Sequence, residues 1–336
     1  MTVTDANALT MAQYAVLSNN PMVQAVTFSL LDMGTAMTDI PFVNKKTLIA
    51  NGVRWEGNLP TPSWGSINST PVTTTGTPKP YQEQAYVMRG AIKVDKVLVN
   101  DVNAISDPRA TQLAAFLKGF AYDFNDKFIN NDHAAGDANS IVGLKARIDG
   151  GLSYGVWGSA KIDAGGVDLS KATMTAATAN SFLEYLEQLL WTVDSPNGDN
   201  VTLYMNEVMA RRFNTALRTL GTSGGFAIVK DQFDRDQKKF MGATIKDIGY
   251  KADQATRIIT TTETNTGAAG SSTFTSIYAV NYGEDHFHGW QYEPVYANDL
   301  GLLNDGVTYS TVVDWAGGVI NDNIRSVARL YDIKIS

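Results

Sequence analysis

The 336-residue chain contains no cysteine. That excludes a disulfide framework, a thiolate nucleophile and any Cys-ligated zinc or iron–sulfur site. Charge is also scarce, at 18% of residues against roughly 25% in an average soluble protein. Basic residues (27) are outnumbered by acidic ones (34), for a formal charge of -7. Broad binding to a phosphate backbone needs clustered Lys and Arg, and this balance argues against it. The first Lys is Lys45, so residues 1–44 lack the positive start of a secretory signal and carry Asp5, Asp32 and Asp39 instead. No apolar run approaches the roughly 18 residues of a membrane helix. The expectation is a soluble, unexported protein, and Asn68-Ser69-Thr70 and Asn200-Val201-Thr202 read as chance matches to a glycosylation pattern.

What is present is a globular composition, 44% hydrophobic and 10% aromatic, too apolar for a disordered chain. Thr, Ser, Asn, Gly and Ala stand where charged surface is usual. Either much of the surface is covered by other subunits, or the chain carries a polar, uncharged coat as β-rich secreted proteins do.

Residues 1–42 are apolar with weak periodicity, and a segment of that kind needs covering by its own core or by a neighbour. From Thr47 to Val99 the pattern is β. Strands around Thr47–Ile49, Val53–Trp55, Tyr81–Met88 and Ala91–Asp95 flank a Thr/Pro/Ser/Gly-rich excursion at 57–80, and alternation continues through Lys96 and Val97. A structureless loop of that length is unusual, so an extended two-stranded finger is expected. The clearest helix spans about 108–131. Asp107 is placed to cap it, Pro108 occupies its first position, and Leu113, Phe116, Leu117, Phe120, Phe124 and Phe128 form one stripe over roughly 36 Å. Residues 149–172 read as looped. A helix follows at about 176–193, capped by Thr175 or Thr178, then a buried strand at Val201–Met205 and a helix capped by Asn206 and closed by Gly221. Later strands are expected at 226–229, 242–248, 257–260, 275–280, 288–292 and 307–313, with Val319 and 324–335 completing the sheet. These parts make an α+β protein.

No catalytic motif survives inspection. Gly221-Thr222-Ser223-Gly224-Gly225 fits a nucleophile elbow in letters, but a helix precedes it and a strand follows, the reverse of what lifts a serine hydroxyl out of its turn. His286 and His288 alternate beside Glu284 and Asp285, with His133 as the third histidine; polar residues at a strand entry explain them better than a metal does. No Gly is followed by Lys, which removes the P-loop. The six tryptophans are scattered and suggest no sugar platform. No catalytic, cofactor or metal site is expected, and the chain is not read as an enzyme.

The order of parts is more informative: apolar arm, β finger, long amphipathic helix, mixed domain, late return of strands. Within it stand Phe128-Ile129-Asn130-Asn131-Asp132 with Ile141-Val142-Gly143-Leu144, then Leu203-Tyr204-Met205-Asn206, Phe240-Met241-Gly242-Ala243-Thr244-Ile245, Val313-Asp314-Trp315-Ala316-Gly317-Gly318-Val319, and Arg325 to Ile333. This arrangement resembles the major capsid proteins of tailed double-stranded DNA bacteriophages, the Hong Kong 97 fold family. The resemblance implies an N-terminal arm (1–45), an E-loop finger (46–90), a peripheral domain (91–150, with spine helix 108–131 and returning strands at about 276–315) and an axial domain (151–275, with 316–336). It implies self-assembly into pentamers and hexamers of an icosahedral shell around double-stranded DNA held without sequence-specific binding, in a virion capsid assembled in host cytoplasm. The implied partners are further copies, a separate scaffolding protein, a portal and, where present, a decoration protein, with no membrane. Contact candidates between subunits are Met11, Tyr14, Phe28, Leu31 and Phe42 of the arm, and Arg54, Trp55, Glu56, Trp64, Lys79 and Tyr81 of the finger. Arm and finger use up the chain before the spine helix, so no fused scaffold is expected. Lys79 lies between two prolines, and no covalent cross-link through it is expected. An encapsulin-type compartment shares the fold and is the alternative function; a monomeric β-rich carbohydrate-binding protein or glycosidase is the alternative of another class.

Overall fold

The structure is a computed structural model, and it describes residues 36–57, 59–100, 107–195, 198, 200–221, 226–230, 236–264 and 273–335. It opens with a helical turn, α1 (Ala36–Asp39), and a short strand, β1 (Phe42–Asn44). The finger strands β2 (Ile49–Trp55) and β3 (Pro78–Gln84) follow, then β4 (Tyr86–Asp95) and a second helical turn, α2 (Lys96–Val99). The spine helix α3 (Pro108–Asn130) leads to α4 (Leu144–Gly150), a 3-10 turn (Gly151–Tyr154) and β5 (Lys161–Asp163). Next come α5 (Ala176–Thr192), β6 (Val201–Met205), α6 (Glu207–Leu220), β7 (Phe226–Lys230), β8 (Asp236–Phe240) and β9 (Ala243–Asp247). Four strands close the chain: β10 (Phe274–Asn281), β11 (Phe287–Leu302), β12 (Thr308–Asn321) and β13 (Val327–Lys334).

The helix caps follow from side-chain chemistry. Asp107 accepts from the Arg109 amide at 2.9 Å, and Pro108 needs no donor partner at the first position. Thr175 caps α5, while Thr178 reciprocates by accepting from the Thr175 amide at 2.9 Å. Asn206 accepts from the Met209 amide at 2.8 Å, and Gly221 ends α6 at φ 64°. The buried stripe of α3 runs from Leu117 through Phe120, Phe124 and Phe128, with the last two rings stacked at 6.2 Å; Leu113 and Phe116 are only half-buried. Asn125 in the same stripe accepts from the Ala36 amide at 3.0 Å and so anchors α1.

Two sheets carry the body. One has the order β1-β11-β12-β4, with β1 parallel to β11. The other is β5-β13-β10-β6-β9-β8-β7, mixed in direction, with β6 and β10 buried along their full length. Strands of that kind are covered on both faces. The finger β2–β3 forms a separate two-stranded ribbon.

Several expectations need correction. Lys96 and Val97 lie in a helical turn, not in the strand, because Asp95 accepts from the Val97 amide at 2.7 Å and starts α2. Residues 257–260 form no strand beyond the single bridge Tyr250–Arg257; Ile258 and Ile259 are buried without a ladder. The stretch expected as loop at 149–172 contains the end of α4, the 3-10 turn and β5. The returning strands divide differently: β10 pairs with β6 and β13 in the seven-stranded sheet, while β11 begins the return and β12 continues it to Asn321. Residues 36–44, expected in the arm, are built into the body through α1 and β1, and Phe42 is 2% exposed with its ring edge-on to Trp315. The arm candidates Met11, Tyr14, Phe28 and Leu31 lie outside the described residues.

Candidate functional site

The finger is an antiparallel ribbon whose seven register pairs run from Ile49–Gln84 to Trp55–Pro78. Its side chains alternate in the ordinary way, but the usual assignment of faces is reversed. Ala50, Gly52 and Arg54, opposite Glu83, Tyr81 and Lys79, make the face against the body. Ile49, Val53 and Trp55 make the other face, at 53%, 62% and 45% exposure. An isolated hairpin would bury the second set and solvate the first.

The inner face is an ionic lock. Arg54, buried, donates from Nε to Glu56 Oε1 at 2.6 Å, and its Nη1 meets the Asn321 carbonyl at 3.4 Å. Its guanidinium lies 4.8 Å from the centre of the Tyr81 ring. Lys79 Nζ reaches the other Glu56 oxygen at 2.8 Å. Burial raises the Glu56 pKa, but the hydrogen bonds from Lys79 and Arg54 outweigh it and hold the carboxyl below the usual glutamate range. The Tyr81 hydroxyl bonds the Asp322 carboxylate; burial first, then that acceptor, pushes the phenol well above its ordinary pKa. Two glycines make the packing possible. A Cβ on Gly52 would fall 2.2 Å from the Tyr81 hydroxyl, and one on Gly155 would fall 2.1 Å from Arg54 Nη1.

The lock extends into the body. Arg147, 1% exposed, donates to both oxygens of Glu83 at 2.8 and 3.2 Å and to the Val142 carbonyl at 3.1 Å. Asn321 donates to the Gly155 carbonyl at 2.6 Å. Sequence reasoning missed Glu83, Arg147, Asn321 and Asp322. For Arg147 a partial signal existed, since Lys145 and Arg147 are the two charged residues of the otherwise apolar stretch 141–148, but it did not tell the two apart.

Beyond the ladder the finger continues as a narrow loop. The Thr74 hydroxyl bonds the Thr61 carbonyl at 2.8 Å, and Ser69 turns back onto Ser66 at 3.0 Å with Asn68 at φ 70°. Trp64 and Ile67 flank this tip and are fully exposed. No residue from 57 to 78 is charged. The structure therefore brings Arg54, Glu56, Lys79 and Tyr81 together at the root, and sets Trp55 and Trp64 apart on the outer face and tip.

The other candidates do not converge. His133 Nε2 lies 2.6 Å from the Ser140 carbonyl, His286 faces Ser326 Oγ at 3.4 Å, and His288 lies 3.6 Å from Asp322. Among the described residues no group of three His, Cys, Asp or Glu could hold a metal ion. Gly221 is the cap of α6, and residues 222–225 of the elbow-like pentapeptide lie outside the described residues. No described helix is long and apolar enough to cross a membrane.

No family model matches the chain, and no curated protein matches it. Solved structures do. An encapsulin complex from Synechococcus elongatus aligns over 96% of this chain and 94% of its own at 10% identity and TM-score 0.58. The capsid of a native GTA particle aligns over 90% of both chains at 12% identity and TM-score 0.57. A structure from Mycobacterium phage Cain aligns over 95% and 96% at 10% identity and TM-score 0.54. Agreement along nearly the whole of both chains establishes a Hong Kong 97-type capsid fold.

Proposed function

We propose that the chain is the structural subunit of an icosahedral phage capsid, a major capsid protein without enzymatic activity. The observation that carries this reading is the inverted finger: its ionic face is spent on its own body and its apolar face and tip point away. Burial of a large apolar side chain contributes about 1.5–3 kcal/mol, and a monomer leaves that contribution unrealised along Ile49, Val53, Trp55 and Trp64. A neighbouring copy that accepts the finger realises it, and repetition of a head-to-tail contact closes a ring of five or six. In this reading the partners are further copies, a separate scaffolding protein, a portal and enclosed double-stranded DNA, and the destination is the virion. The likeness to an encapsulin complex supports the second reading, a protein-filled compartment.

Size-exclusion chromatography and negative-stain microscopy of the full chain, expressed alone and with its candidate scaffold, test the proposal. Closed shells or capsomers are expected. A chain that stays monomeric in both settings would overturn it. Nucleic acid inside recovered shells supports the capsid, and protein cargo supports the compartment.

A further inference from the structure

We propose that Trp64 at the finger tip of one copy seats in a cavity at the finger root of the next. This deepens the shell reading and rests on it. The cavity measures about 440 Å³, within the range of small-ligand sites. Four ring-bearing residues, Tyr81, Tyr86, His133 and Tyr154, line it, together with Lys79 and Ser153. Tyr86 and His133 already meet edge to face at 5.6 Å, the geometry a further aromatic ring extends. The Lys79 side chain is 55% exposed, so its ammonium can lie over an indole face while holding Glu56. The Ser153 hydroxyl is exposed and offers an acceptor to the indole N–H.

The occupant follows from the finger. Trp64 is fully exposed in its own chain, at a tip without a charge to desolvate. It stays clear of the cavity in its own chain, because it lies nine residues beyond Trp55, the last rung of the ladder, and past the Thr74–Thr61 hydrogen bond that holds the loop extended. The 18 residues from Ile49 to Ser66 span at most roughly 60 Å, enough to cross onto an adjacent subunit. Each copy thus carries one knob at the finger tip and one socket beside the ladder, the arrangement of a heterologous contact that closes by rotation.

The test exploits the absence of native cysteine. Ser63→Cys, beside the intact Trp64, and Ser153→Cys are made in separate full-length chains, co-assembled and mildly oxidised. A covalent dimer on a non-reducing gel is expected from mixed particles and from neither variant alone; the double variant is expected to give a ladder up to five or six. Shells that form normally in the mixture but yield no dimer would overturn the docking and leave the shell reading intact. Failure of the unmodified chain to form shells under any scaffold condition would overturn the shell reading itself. Independently, Trp64→Ala should raise the concentration needed for assembly at least about tenfold, with Trp64→Phe much closer to the unmodified chain and both unfolding at its midpoint. Assembly of Trp64→Ala at the unmodified concentration would overturn the proposal.

Discussion

Arg147 and Glu83, 64 positions apart in sequence, form a two-bond pair at 2.8 and 3.2 Å that ties the body helix α4 to the finger strand β3. The Arg147 side chain is 1% exposed and that of Glu83 15%. Removing one partner strands the other's charge. Glu83→Gln is therefore expected to lower stability by about 2–4 kcal/mol, less than a fully buried pair because Glu83 keeps some solvent. Arg147→Met in the same chain should recover part of the loss. Urea unfolding of the single and double variants measures both.

The finger root should loosen in acid. The Glu56 carboxyl has a folded pKa below its unfolded value of 4.5. Its contribution is therefore complete above that value and is lost as pH falls through the lower, folded one. Limited proteolysis of the finger should accelerate below about pH 4, and Glu56→Gln should be more sensitive at neutral pH with less further change in acid. A pH-independent cleavage rate in the unmodified chain would contradict this.

The outer face should matter to assembly and not to folding. Val53 is 62% exposed, so Val53→Asp is expected to change stability by no more than about 0.5 kcal/mol. The same charge, pressed against a neighbour, should abolish shells. Circular dichroism with thermal unfolding reads the first effect and microscopy the second.

The spine is an ordinary core by comparison. Phe128 is 1% exposed and meets Phe124, Tyr204 and Phe287. Phe128→Ala should cost about 3–5 kcal/mol, visible as a lower denaturant midpoint.

Lys79 is held by Glu56 at 2.8 Å. Assembled particles boiled in denaturant should run as a single monomer band. A ladder of covalent oligomers that disappears in Lys79→Arg would refute this.

The helices and their caps were legible because their signals are local. Asp107-Pro108, Thr175 and Asn206 each satisfy an amide within three residues. The finger was legible from composition and length. Its inversion was not. Alternation divides Ile49–Trp55 into two faces, but only the body's own acceptors decide which turns inward. Those acceptors lie far away, Asn321 being 267 positions from Arg54. The same limit governs β10 and residues 257–260. Apolar runs look alike whether they enter one sheet, another, or none, because the partner strand is chosen by long-range packing.

The junction of β3 with β4 has a mechanical consequence. Only Ala85 separates the two strands, and β4 then pairs with β12 through ten consecutive positions, from Tyr86–Gly317 to Asp95–Thr308. A pull along the finger reaches this ladder as shear, and every rung shares the load at once. A sideways force peels the rungs one after another. In the proposed shell, a neighbour that grips the finger and pulls along it would load this ladder in its stronger direction.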